Sequence, residues 1–426
     1  MRKISYLMAS LMILLSGSMV FAQDKGQFTV NGQLRPRAEY RNGALTPIGE
    51  GEKASSFISN RARLSLGYQN DFLKMGFSAQ DVSVWGERPQ IEANPRTTGI
   101  NEAWAELNNN GYFAKIGRQQ LAYDDDRILG TLDWNQAGRF HDAVTLGYES
   151  LALVHRFHLI LAYNQHRQGI NSGTYYAGGQ PYKAMQTAWY QYKHSNDLRF
   201  SILAMNLGFE AGTIAEGEVI PKGKTNYMQT LGGNVWYNIN DLSLFGTAFY
   251  QTGKTAGERD ISAYMLSAKG QYKFTPEFSV ALGIDYLSGQ KNGEKVTRFD
   301  PLYGTHHKFY GTMDYFYASA FGNGGLRDLY ASLIYKPLPK LTLDLTYHNF
   351  ASQQSIDVNG TDKKGLGSEL DLTVTCPIRP YVVLQGGYSM MFGTDAFFQI
   401  KGGSKDRNQH WAFLSLNVNP EIFSAR

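Results

Sequence analysis

"FDPLYGTHHKFYGTMDYFY" (299–317) decides how the rest of this 426-residue chain is read. The stretch is rich in aromatics, carries no helix signal and ends in alternating Tyr and Phe, as a strand would. Yet His306, His307, Lys308 and Asp314 are packed into it, and glycines flank it on both sides. Whether it is a strand or a loop sets the parity of everything after it.

The surrounding sequence is dominated by period-two alternation. In "LTLDLTYHNF" Leu341, Leu343, Leu345 and Tyr347 fall on one face, with Thr342, Asp344, Thr346 and His348 on the other. "ELDLTVTC" sets Leu370, Leu372, Val374 and Cys376 against Glu369, Asp371, Thr373 and Thr375. "SAKGQYKF" sets Ala268, Gly270, Tyr272 and Phe274 against Ser267, Lys269, Gln271 and Lys273. One face is apolar with aromatics towards its ends; the other is charged or hydroxylic. Segments of about ten residues match what a tilted strand needs to cross a bilayer. The pattern predicts an all-β transmembrane antiparallel barrel, lipid-facing on the apolar side and water-facing on the polar side.

Connections alternate as well. Tight ones fall at 70–71, 108–111, 149–150, 195–197, 240–241, 275–276, 337–339 and 377–380. Long polar stretches lie near 42–55, 85–98, 119–137, 165–184, 209–224, 252–259, 352–364 and 392–407. Short periplasmic turns alternating with long external loops are the barrel pattern. If 305–317 spanned the membrane, the tight turn at 337–339 would lie outside the cell and every later connection would invert. Taking 289–324 as one external loop restores the alternation, with thirteen strands before it and five after. Eighteen is even, as a single-chain bacterial barrel requires. So aromatic a loop is expected to fold toward the lumen, the alternative being an extended hairpin above the membrane.

Composition agrees. The chain has 45 Gly, 27 Tyr and 24 Phe, against 13 Pro and a single Cys. Cys376 has no partner, so no disulfide forms within the chain. After the leader, no apolar run reaches the ~18 residues of a membrane helix. A net charge of +4 is small and dispersed, which argues against nucleic acid. Arg2 and Lys3, the apolar run Leu7 to Val20, and Val20-Phe21-Ala22 before Gln23 read as a cleaved secretory signal over 1–22. One barrel domain is expected over 23–426, in the Gram-negative outer membrane and in contact with its lipid.

The polar face is unusually basic at the start. "NGQLRPRAEYR" puts Arg35, Arg37, Glu39 and Arg41 on one face, and "FISNRARLSLGY" does the same for Arg61 and Arg63. An arginine facing lipid costs about 2–4 kcal/mol at midplane, so these side chains are expected in the lumen. Arg156 and Lys193 extend the surface. Asp285, Asp328, Asp344, Glu369 and Asp371 make the opposite wall acidic. Those acids either pair with lumenal cations to hold the barrel open, or temper an arginine ladder that attracts anions.

The segment "NEAWAELNNNGYFAKIGRQQLAYDDDRILGTLDWNQAGRFHDAVTLGYE" (101–149) resembles the alginate-export family of outer-membrane porins. The shared elements are Gly117-Arg118-Gln119, Asp124 to Arg127, Asp133-Trp134, Gly138-Arg139 and Asp142-Ala143-Val144; "LRPRAEYR" and "SNRARLSLGY" are similar too. The resemblance implies an eighteen-stranded monomeric barrel with an arginine-rich constriction exporting an anionic polyuronate. It carries Arg35, Arg37, Arg61, Arg63, Arg118, Arg127 and Arg139 over as pore candidates. The His306-His307-Lys308 loop and the acidic wall have no counterpart in the exporter itself, and the chain ends "NPEIFSAR" rather than on an aromatic.

The functional expectation is therefore a passive or facilitated channel for anionic sugars or polyuronates. Its pore lining is Arg35, Arg37, Glu39, Arg41, Arg61, Arg63, Arg118, Arg127, Arg139 and Arg156, with His306, His307, Lys308, Tyr310 and Asp314 in a constriction loop. The alternative is a general or differently selective porin, motivated by the acidic wall. No cofactor is expected, and a periplasmic delivery partner is compatible with export. An enzyme would need converging catalytic groups, and there is no G-x-S-x-G or HExxH element. His155 and His158, three apart on a strand, fall on opposite faces. His306-His307 reads as polar loop or as a transition-metal pair. Residues 357–365 lack the glycine and the twelfth-position glutamate of a calcium loop. Asp124 to Asp126 either bind a cation or gate the mouth, or form a solvated acidic loop that pairs with Arg127.

Overall fold

The computed structural model describes residues 26–425 apart from 91–97, 166–167, 169–175, 177–178, 216–217 and 320. The leader expected at 1–22 lies outside these residues. Eighteen antiparallel strands close on themselves. The first, β1, is in two pieces, Gln27–Leu34 and Arg37–Asn42. β2 to β7 are Ser55–Gln69, Leu73–Val84, Thr98–Asn109, Tyr112–Gln119, His141–Glu149 and His155–Tyr163. β8 to β13 are Ala184–Lys193, Leu198–Ala215, Glu218–Ile239, Leu242–Lys254, Asp260–Lys273 and Phe278–Leu287. β14 to β17 are Leu326–Leu338, Leu341–Val358, Thr361–Arg379 and Val382–Gly393. The last, β18, again has two pieces, Gln409–Val418 and Glu421–Ala425.

Each strand pairs with its neighbours in sequence, and β18 returns to β1 through Trp411↔Arg41, Ser415↔Arg37 and Val30↔Phe423. Proline interrupts both strands at this seam, because it has no N–H to give the ladder. The prolines still accept: Leu416 N donates to Pro36 O, and Gly32 N to Pro420 O, both at 3.1 Å. A sheet closed in this way leaves no edge, which a bilayer requires.

The strand between β13 and β14 that the sequence could have implied does not exist. Leu287 ends one strand, Leu326 begins the next, and among the described residues of 289–324 the one helical element is a short 3-10 turn at His306–Lys308. Eight short turns lie at one end, as expected. Two stretches expected as loops, 209–224 and 352–364, are instead continuations of strands: β9 meets β10 and β15 meets β16 in tall hairpins.

The faces divide as the alternation predicts. Outward positions such as Ile116, Ile202 and Leu282 are 61–63% exposed, while inward Thr187, Thr230 and Gln251 are fully buried. The barrel's packed core lies inside its long-loop half. Phe299, Tyr310, Met313, Tyr315 and Phe316 of the 289–324 loop are buried there with Phe350 and Trp411. A helix, α1 (Asp395–Lys401), caps them: Thr394 accepts from Phe397 N, and Phe397 meets Tyr315 edge-on at 5.0 Å. The loop therefore folds inward, driven by apolar area that water would not tolerate.

Candidate functional site

Two segments enter the lumen, not one. Beside 289–324, the loop 120–140 also turns inward, and the two pair through Leu129 and Tyr303. Gly130 N donates to Tyr303 O at 3.0 Å, Tyr303 N to Ile128 O at 3.1 Å, and Thr305 N to Asp126 O at 2.8 Å. Arg139 donates to the Tyr303 and Gly304 carbonyls, and Lys308 Nζ reaches Asp126 Oδ2 at 3.0 Å.

The arginines of β1 and β2 hold the first of these loops. Arg61 Nη1 meets Asp133 Oδ1 at 2.8 Å, and Arg35 Nη1 meets Oδ2 at 3.1 Å. Arg35 also bonds Gln136 Oε1 at 2.9 Å. Arg37 donates to Trp134 O at 2.8 Å, and its guanidinium lies 4.2 Å from the Trp134 ring centroid. His307 stacks on the same indole at 4.1 Å and bonds Asp314 at 2.9 Å. Glu39 takes Arg37 at 2.9 Å and Arg41 at 2.8 Å. Arg63 donates twice to Gln80 Oε1. Arg35, Arg37 and Arg61 are buried. Burial on its own pushes the Asp133 carboxyl up, but Arg61 and Arg35 hold it below the usual range.

The acidic wall holds the second loop. Thr312 Oγ1 donates to Asp371 Oδ1 at 2.6 Å, Thr312 N to Asp371 Oδ2 at 3.2 Å, and Met313 N to Glu369 Oε1 at 2.8 Å. Gly311 sits at φ +85° against Glu369, where a Cβ would come within 2.7 Å of the carboxylate. Leu302, Tyr310, Asp314 and Tyr317 also adopt positive φ, so the backbone here is bent by its contacts. Arg127, fully enclosed, lies 2.7 Å from Asp125 and 2.8 Å from Asp285, under Phe309 and beside Tyr310. Burial favours its neutral form, but Asp285 and Asp125 keep it charged, raising its pKa. His306 lies between two carbonyls of its own loop, with Nδ1 3.0 Å from Tyr317 O and Nε2 3.4 Å from Pro301 O; burial lowers its pKa, and the neutral ring can donate to one of them.

One candidate is misplaced by the sequence reading. Arg118 lies opposite Asp142 in the β5–β6 ladder, on the outward parity of Ile116 and Leu146. Its guanidinium grips Asp142 at 2.9 and 3.1 Å and covers Phe140 at 4.0 Å, so it is a rim contact and not a pore residue. The inward neighbour is Gly117, at φ +121°, where any side chain would strike the Ala103 carbonyl. Residue type alone could not tell the two faces apart at this position.

Below the two loops, at the short-turn end, the lumen opens into three adjoining cavities of about 570, 640 and 590 Å³. Arg156 and Arg199 line two of them; Trp236 and Lys269 link the third. Lys115 Nζ sits 3.7 Å from the Trp104 ring centroid, Arg199 Cζ 4.0 Å from Trp236, and Arg156 Cζ 5.2 Å from Trp189. Arg156 also pairs with Glu149 at 2.6 Å. Among the described residues, no carboxylate lies within ion-pair distance of Lys115, Lys193, Arg199 or Lys269. Of these cations the sequence places Arg156 and Lys193 on the basic surface and Lys269 on a polar strand face, and leaves Lys115 and Arg199 unmarked. The signal for the others was available: an inward-parity cation within a few residues of a short turn.

The alginate-export family's sequence profile matches residues 27–413. No protein of curated function matches the chain in sequence. Among solved structures, OccAB4 of Acinetobacter baumannii shares 12% identity over 94% of this chain and 99% of its own, with a TM-score of 0.63. OccK5 (OpdH) of Pseudomonas aeruginosa gives 10%, 95%, 99% and 0.60. OpdK of Pseudomonas aeruginosa, solved with vanillate, gives 10%, 93%, 99% and 0.60. At such identities the structural likeness speaks for the closed eighteen-stranded fold alone. The profile match across nearly the whole chain speaks for descent, and this protein belongs to the alginate-export family of outer-membrane channels.

Proposed function

We propose that the channel passes anionic, carboxylated sugars of the polyuronate kind passively down their gradient. The observation that carries this reading is the charge balance at mid-lumen. Arg35, Arg37, Arg41, Arg61 and Arg63 converge there and, among the described residues, form ion pairs with two carboxylates, Glu39 and Asp133; with Asp314 and Glu102 nearby the balance still leaves an excess of positive charge. In a low-dielectric passage such an excess lowers the barrier for an anion and raises it for a cation. A single chain closes the barrel, so a monomer suffices, set in outer-membrane lipid. We further propose export through a cleaved leader at 1–22, a single mature barrel domain over 23–426, and delivery of cargo by a periplasmic partner.

The test is the reversal potential of the purified barrel in a planar bilayer under a salt gradient. Anion selectivity, moving toward cations when Arg35, Arg37, Arg61 and Arg63 are all made Gln, is the expected outcome. An unchanged reversal potential in that variant sinks the reading. A second reading, a general or differently selective porin, is favoured by Asp285, Asp328, Asp344, Glu369 and Asp371 on the facing wall; weak selectivity in the wild type would establish it.

A further inference from the structure

The cations that remain available to a ligand are not the arginines of β1 and β2. Arg35, Arg37 and Arg61 are buried and held by Asp133, Gln136 and carbonyls of the 120–140 loop, while Arg41 is tied to Glu39 and Arg63 to Gln80. The vestibule cations are held differently. Lys115 and Arg199 rest on indole faces, which position a cation by cation–π attraction without neutralising it. Arg199 Nε, buried, has no hydrogen-bond partner among the described residues. Lys269 shares its cavities with Trp236 and Phe245; the carboxylates that line the first of them, Asp285, Asp328, Asp344 and Asp371 among them, form no ion pair with it among the described residues. The tryptophans are seated deliberately. Trp104 is flanked in register by Gly76 and Gly117, and a Cβ at Gly76 would lie 2.5 Å from its ring. Trp236 lies directly opposite Arg199 in the ladder.

Spacing narrows the ligand further. Lys115, Arg156, Arg199 and Lys269 stand on β5, β7, β9 and β12. Strands are about 4.8 Å apart, so neighbouring cations on this band are separated by roughly 10–15 Å along the wall. The band from Lys115 on β5 to Lys269 on β12 covers seven strand intervals, about 34 Å along the wall, more than one small carboxylate can span. We infer that Lys115, Arg199 and Lys269, with Arg156 between the first two, form a binding track for a linear oligomer of carboxylated sugars entering from the short-turn end. The inference rests on the proposed anionic cargo and adds its place, its direction of approach and its minimum length.

The probe is tetragalacturonate, added to either side of bilayers holding the full-length barrel in one orientation, with galacturonate monomer and neutral maltotetraose as controls. The tetramer is expected to block current from the short-turn side far below the monomer, while maltotetraose does not. The combined variant K115Q/R199Q/K269Q should raise the blocking concentration at least about tenfold, because charge-assisted contacts are removed. These side chains are half-buried and outside the ion pairs of the fold, and the wild-type sidedness provides a second readout if the variant does not insert. Equal block of variant and wild type, or block from the long-loop side only, overturns the track and leaves an anion-selective wild type standing. An anion-selective wild type that the tetramer does not block also overturns it. A wild type neither blocked nor anion-selective removes the proposed function together with the track.

Discussion

Two basic surfaces line this barrel, and they do opposite things with the same kind of residue. On β1 and β2, Arg35, Arg37 and Arg61 are buried against Asp133, Trp134 and Gln136 of an infolded loop. On β5, β9 and β12, Lys115, Arg199 and Lys269 face open volume, two of them backed by tryptophan. A carboxylate neutralises the cation that it holds, whereas an indole leaves the charge in place. The first surface is thus largely a clasp with residual charge, and the second a set of poised charges. Facing the lumen is a shared property; the nearest fixed anion separates the roles.

The comparison is broken most forcefully by removing what the clasp and the acidic wall hold. Replacing 299–317 with a short Gly/Ser linker should raise single-channel conductance several-fold, because Phe299, Tyr310, Met313, Tyr315 and Phe316 leave the lumen. Conductance equal to wild type would place the constriction elsewhere. Next in size, Gly311→Val should unseat the same loop without shortening it. A branched side chain at φ +85° would be driven into Glu369, an overpacking cost of about 1–3 kcal/mol. Limited proteolysis after Tyr310 and a higher conductance should appear together; proteolytic resistance like that of wild type would show that the wall accommodates it.

Smaller effects sharpen the contrast. Arg199→Gln should shift selectivity toward cations while leaving both loops protease-resistant. Arg61→Gln should expose the 120–140 loop to protease as well as shifting selectivity. If both variants gave the same pair of readouts, clasp and track would be one surface.

The smallest effect expected is with pH. The Asp133 carboxyl is held below the usual range, so its ion pairs are complete above the ordinary aspartate value of about 3.9 and are lost only as pH falls further. Asp133 is half-exposed, so the pairs contribute at most about 1 kcal/mol. A conductance rise below pH 4 that is absent in Asp133→Asn is the measurement that checks it.

The barrel itself was legible because period-two alternation and the parity of short and long connections are local properties of the chain. Reading 299–317 as loop rather than strand needed only the position of the turn near Pro337-Leu338-Pro339. The inward face was legible for Arg35, Arg37, Arg61 and Arg63, since lipid excludes them. It was not legible for Arg118, whose face depends on the register beside Gly117 and on a carboxylate, Asp142, directly across the ladder. Nor did sequence reveal that 120–140 enters the lumen: pairing of its acidic run with Arg127 was legible, but not that Asp126 meets Lys308 or that Asp133 meets Arg35 and Arg61. The Lys115–Trp104 and Arg199–Trp236 contacts were hidden for a related reason, since each joins residues of different strands.

The amino-acid sequence by itself determined the compartment class, the closed sheet, its strand number and the side of the wall on which most charges lie. All of these follow from the solvent each residue can tolerate at its own position. Tertiary structure alone decided which cations are spent on holding loops and which stay open to a ligand. That assignment depends on partners dozens to hundreds of residues away, brought within 3 Å only when the two loops fold into the barrel: Asp133 to Arg61, Thr312 to Asp371 and Arg127 to Asp285.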